Sequence, residues 1–206
     1  MNEIYEISPR LCFRSPKELE EALQCPITIT VNEFTTESAA KFRGMVALAV
    51  HTGQTVIPVV IDSYGGEVYS LISMLDTIDA CPVPVATFAT GKAMSCGAVL
   101  LTAGAPGLRF VGPSACVMIH EVASGAKGKI EEIKADVQES ERLNKMIFGR
   151  MAKNCKRNET YFQDIIHEKN HADWYLTAED ALKHGVVDHI KVPSFKVAIK
   201  VEETFG

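Results

Sequence analysis

Ser95 sits in the segment Gly91–Gly104, GKAMSCGAVLLTAG, where a hydroxyl among small residues precedes a compact apolar helix. Gly91, Ala93, Gly97 and Ala98 allow a tight turn and a close backbone approach by a substrate. A nucleophile gains from such a place. The turn is rigid, and amide N–H groups at the start of a helix face developing negative charge. His120 ends the apolar run Cys116–Ile119, and strand ends are where α/β folds present reactive groups. Asp173 lies in a loop beside Trp174, Tyr175 and Leu176; a buried carboxylate there needs a partner, and a histidine is a natural one. A serine hydroxyl becomes a competent nucleophile when an imidazole takes its proton, and a carboxylate on the other ring nitrogen sets the tautomer. His51, His167, His171, His184 and His189 lie in polar or helix-end contexts and are assigned no chemistry; His184, just before Gly185, suits a helix C-terminus.

The surrounding pattern alternates strands and helices. Ile27–Val31 reads as a strand, and Thr35–Val50 as a helix with Phe42, Val46 and Ala49 on one face. Val56–Ile61 is a β-branched run suited to a strand buried on both faces. Gly65 and Gly66 follow it, and then Val68, Leu71, Ile72, Leu75 and Ile78 recur at helical spacing. The amides of such a Gly-Gly turn can point at an oxyanion or a phosphate, but no following Lys-Ser/Thr pair supports nucleotide binding. A strand is expected over Val83–Phe88, a shorter one from Phe110–Val111, and a helix over Glu159–His167 capped by Asn158. Lys129–Met151 forms the longest amphipathic helical pattern. Thr177 with Asp180 gives a near capping box, Gly185 closes that helix, and Val186–Val187 begin a final strand.

With 206 residues the chain is expected to be a single domain spanning 1–206. Its net charge of −5 gives no basic face for nucleic acid. No apolar stretch is long enough to cross a bilayer, and none resembles a secretory signal, so the expected location is cytoplasmic, without membrane partners. Cys12, Cys25, Cys81, Cys96, Cys116 and Cys155 lack metal-ligand spacing and read as free thiols in a reducing compartment. Neither a metal nor a cofactor is expected.

SYGGEV, GKAMSCGAVLLTAG, VGPSACVMIH and ADWYLTAEDALKHGVVD, in this order over about Ile29–Ile190, resemble the Clp protease proteolytic subunit family. The resemblance implies an α/β fold of the Clp-protease and crotonase type, with repeated strand–helix units, a head and a protruding handle over about 122–151. It implies a serine endopeptidase with Ser95 as nucleophile, His120 as general base and Asp173 as the residue orienting it. The oxyanion donors map onto the backbone N–H groups of Gly66 and Cys96. The expected substrate-binding residues are Gly65, Gly66, Glu67 and Val68 on one side, and Val122, Ala123, Ser124 and Gly125 as an added-strand edge on the other. The implied partners are further copies of the chain in heptameric single or double rings, an AAA+ unfoldase, and peptides or unfolded proteins.

The chain departs from the family pattern at several places. Tyr64 replaces a proline, Cys96 a methionine, and Glu121–Val122 a Gln-Pro pair that follows the histidine. Ala172 stands where an arginine of the ring-to-ring contact is usual, and residues 1–26 diverge. Such divergence fits a phage-encoded or other outlying branch, acting in the host cytoplasm. Glu121 is expected near the His120 ring. Other readings are a prohead or signal-peptide-peptidase type enzyme with a Ser-Lys dyad using Lys92, a crotonase-type acyl-CoA enzyme, or a catalytically silent ring subunit.

Overall fold

In a computed structural model, residues 26–125 and 127–195 are described. The divergent segment 1–26 therefore lies, but for its last residue, outside the described residues, as do Cys12 and Cys25.

The elements run β1 (Ile29–Val31), α1 (Thr36–His51), β2 (Ile57–Ser63), α2 (Val68–Asp79), β3 (Val85–Met94), α3 (Cys96–Thr102), β4 (Arg109–Val111), β5 (Cys116–Ile119), α4 (Ile130–Asn154), α5 (Tyr161–Glu168), β6 (Trp174–Leu176), α6 (Ala178–His184) and β7 (His189–Ile190). This is a mixed α/β fold built on a parallel sheet in the order β1-β2-β3-β4-β7. β2 is buried along most of its length, as expected of a strand covered on both faces.

β3 is longer than the expected Val83–Phe88. Its first half pairs with β4 through Thr87–Ala89, and its second half pairs with β5 through Lys92–Met94. The strand therefore runs up to Ser95 itself. Its second half, Thr90-Gly-Lys-Ala-Met, has no apolar alternation; pairing with β5 holds it extended. β6 falls where the sequence reads as the loop that carries Asp173. It forms because Trp174–Leu176 pair antiparallel with β5, with Ile119 opposite Trp174. Conversely, Val186 and Val187 are buried but belong to no strand, and β7 is confined to His189–Ile190. Val186 N–H is spent on Ala181 O, a bond back to α6 that holds this stretch off the sheet.

Local signals set the helix ends. Thr35 and Thr177 each close a capping box, and Gly185 ends α6 in the left-handed conformation. The start of α5 differs from expectation: its N-cap is Thr160, with no side-chain cap, and the Thr160 hydroxyl bonds Asp164 instead. α3 is buried at every residue. Its Leu100 and Leu101 pack in the main core with Ile61, Leu71 and Met74.

α4 packs only its second half. Leu143, Ile147, Phe148, Met151 and Ala152 are buried, whereas Ile130, Ile133 and Val137 are exposed. α2 anchors it at two points: Tyr69 donates to Glu139, which also holds Arg142, and Asp79 pairs with Arg150. Arg142 lowers the Glu139 carboxyl to about 2, so this anchor stays charged through ordinary pH. No helix of the described residues is long and apolar enough to cross a membrane.

Candidate active site

Ser95 occupies the single residue between β3 and α3, with φ 54° and ψ −120°. Such a backbone costs a non-glycine residue about 1–3 kcal/mol and persists only when its surroundings over-determine it. Three restraints do so. Ser95 N–H donates to Met118 O on β5, Ser95 O accepts the first bonds of α3, and the glycine turn packs against its side chain. A Cβ added at Gly65 would lie 2.7 Å from Ser95 Cβ, and one at Gly66 would lie 2.5 Å from Phe34 O. Both glycines have positive φ, 111° and 151°. Here the glycines are required for close packing as well as for the turn itself.

His120 follows β5 directly, and its Nε2 lies 2.8 Å from Ser95 Oγ. On its other side Nδ1 is 3.5 Å from Asp173 Oδ1, longer than a good hydrogen bond. Asp173 immediately precedes β6, so the β5–β6 pairing aligns the two segments. The Asp173 side chain is about half exposed (49%), so its pairing with His120 is not forced by burial. Ser95 and His120 line a cleft of ≈ 280 Å³ between the Gly-Gly turn, the end of β5 and the buried face of α4.

Among the described residues, neither Gly66 N–H nor Cys96 N–H has an acceptor within the chain. Cys96 is the first residue of α3, where intrahelical geometry leaves an amide free. Its thiol turns away and donates to Gly66 O at 3.3 Å, and burial pushes it up from its ordinary pKa. A thiol so held is a poor rival to the serine.

Of the other expected binding residues, Gly66, Val68, Val122 and Ala123 line the cleft. The Glu67 carboxylate accepts from Ser70, Gly65 N–H donates to Ser63 Oγ, and Ser124 bonds Ser140. Residues 122–125 form no strand, and Val122 N–H is taken by Asn144 Oδ1 at 2.7 Å. Asn144 lies on the cleft face of α4, and its only signal in the sequence is a polar residue among Leu143, Ile147 and Phe148.

Glu121 does not pair with the His120 ring; its carboxylate turns instead to His171 and His167. Lys92 is held by Asp62 at 2.7 Å and lies over the Tyr64 ring. The Asp62 hydrogen bond keeps the ammonium charged by raising its pKa, the opposite of what a lysine base needs. His184 accepts no helix-end role as a cation: burial lowers its pKa, and Nδ1 pairs with the Tyr161 hydroxyl.

A parallel α/β sheet that presents a histidine-paired serine on a strand-to-helix turn defines a class of protein built for acyl chemistry. Within that class, the Clp protease family model matches residues 16–194, and the chain belongs to this family. The ATP-dependent Clp protease proteolytic subunit of Bacteroides thetaiotaomicron is 35% identical over 136 residues, which cover 66% of this chain and 60% of that relative.

Proposed function

We propose that the chain is a serine peptidase of the Clp type that hydrolyses peptide bonds in peptides and unfolded proteins. The observation that carries this is the 2.8 Å approach of His120 Nε2 to Ser95 Oγ on a strained strand-to-helix turn inside a cleft. Ser95 Oγ attacks the scissile carbonyl carbon while its proton passes to His120 Nε2. The carbonyl oxygen becomes an oxyanion, which the free N–H groups of Gly66 and Cys96 receive. His120 then gives the proton to the departing amine, and the C–N bond breaks to leave an acyl-Ser95 ester. Water, deprotonated by His120, attacks this ester and restores the serine. Asp173 holds the Nδ1 proton; its 3.5 Å separation is one that closes when substrate seats, as catalytic contacts commonly do.

In this reading copies of the chain assemble through α4 into rings that enclose the clefts, and an ATP-dependent unfoldase supplies substrate. That the Bacteroides relative is an ATP-dependent Clp protease proteolytic subunit supports that partnership. A Ser-Lys dyad is disfavoured by the Lys92–Asp62 pair.

The test is a fluorophosphonate probe with a fluorogenic peptide. Ser95 is expected to be labelled, and Ser95→Ala to lose both label and turnover, keeping only about 10³–10⁴ over water from binding and the oxyanion donors. Hydrolysis retained in Ser95→Ala, or label on Cys96, would reject the assignment.

A further inference from the structure

Beside the cleft, three chain segments bring metal-ligating side chains together. Glu121 follows His120 beyond β5, His167 lies in the last turn of α5, and His171 sits in the turn leading to β6. Glu121 Oε2 is 2.7 Å from His171 Nδ1, and Glu121 Oε1 is 3.8 Å from His167 Nε2. One donor atom from each of the three lies within 4.8 Å of the others. The fold builds this juxtaposition. Asn170 and His171 both take positive φ, 56° and 60°, and His171 N–H donates to Ile166 O, which folds the chain back over the end of α5. The β5–β6 ladder, with Ile119 opposite Trp174, then carries Glu121 to the same place.

We propose that Glu121, His167 and His171 form a binding site for a borderline divalent cation of the zinc class. Two imidazoles and one carboxylate are a ligand set such ions favour, and the calcium and magnesium alternative needs oxygen donors that are scarce here. Ligand bonds of about 2.0–2.2 Å in a tetrahedron place donors about 3.3 Å apart. The 2.7 and 3.8 Å separations bracket that spacing, so rotamer adjustments bring the donors into range. All three side chains keep solvent exposure, which leaves an entry path and a fourth position for water. The site lies one residue from His120 and two from Asp173, so a bound ion ties together the two segments that carry them.

The experiment uses the full chain, stripped by chelator and titrated with zinc by calorimetry and with cobalt(II) by visible absorption. One equivalent per chain is expected, with a cobalt spectrum of nitrogen and oxygen ligation and no thiolate charge-transfer band. Loss of an outer-shell partner typically costs about 10–100-fold in metal affinity, so Glu121→Gln, His167→Ala and His171→Ala are each expected to cost at least about tenfold. His51→Ala is expected to bind as the parent chain does. His167→Gln, which preserves side-chain bulk, covers a folding failure of His167→Ala. A thiolate band, binding that survives the His167→Ala/His171→Ala double variant, or no saturable binding at submillimolar zinc would overturn the site. Ser95→Ala is expected to bind zinc normally, so this test stands apart from that of the peptidase reading.

Discussion

Gly65 and Ser95 touch so closely that a methyl group has nowhere to go. At φ +111° and 2.7 Å from Ser95 Cβ, an alanine at position 65 is strained by its backbone and displaces the serine it meets. Gly65→Ala is therefore expected to lower kcat by about 10²-fold or more, since a misplacement of about 1 Å has that cost. The chain should remain folded, because the turn lies outside the main core. Circular dichroism with steady-state kinetics checks this, and an active, folded Gly65→Ala would show that the turn does not position Ser95. At this scale the order and spacing of three motifs point to Ser95, His120 and Asp173, each motif alone being weak, and the geometry sets His120 2.8 Å from Ser95 and 3.5 Å from Asp173. The Glu121–His167–His171 cluster was not: two of its members are separated from the third by about fifty positions, and only the β5–β6 ladder makes them neighbours. Asn144 was hidden for the same reason, as its partner Val122 lies 22 residues away.

Among elements, a largely buried polar joint ties β4 to the ends of α4 and α6. Arg109 makes a two-pronged contact with Asp188 and donates to Asn154 O and Gly185 O. Burial alone would raise the Asp188 carboxyl, but the hydrogen bonds and charge of Arg109 outweigh it and hold it below its usual pKa. A carboxyl depressed in the folded state adds stability that is fully present above its unfolded pKa of about 3.9, and that is lost as pH falls through the lower folded value. Asp188→Asn is expected to cost about 3 kcal/mol at neutral pH, the low end for breaking a buried pair, because Asp188 keeps 21% of its side chain exposed. Denaturant melts from pH 7 down to pH 3 should show the gap between parent and variant narrowing toward acid. A gap constant across that range would mean that Asp188 contributes shape and not charge. The caps at Thr35, Thr177 and Gly185 were legible because each is a contact within a few residues. β6 and the second half of β3 were not, because pairing across the sheet holds residues whose own pattern is weak.

For the whole molecule the decisive feature is the unburied half of α4. Ile130, Ile133 and Val137 fall on helical spacing at 72%, 36% and 48% exposure, while further along the same helix Leu143, Ile147, Phe148, Met151 and Ala152 are buried. An apolar stripe left in water beside a well-packed continuation marks a surface for a partner. A second copy of the chain is the occupant that the ring reading supplies, with two such helices meeting across facing rings. In that reading Ala172, which stands where the family resemblance implies an arginine, supplies no ion pair to the joint, so the contact should rest on apolar area more than on charge. Assembly is then expected to depend only weakly on salt and strongly on these three side chains. Sedimentation velocity across protein concentration should show large oligomers in the parent chain. Ile133→Asp with Val137→Asp should shift these toward smaller species by placing unpaired carboxylates in the joint. The exposed half of α4 makes little contact with its own head, so circular dichroism of the variant should match the parent. Its peptide hydrolysis measures how far the cleft needs the assembled ring. A parent chain that sediments as a monomer at every concentration, with full turnover, would refute the chamber and leave a free-standing serine peptidase.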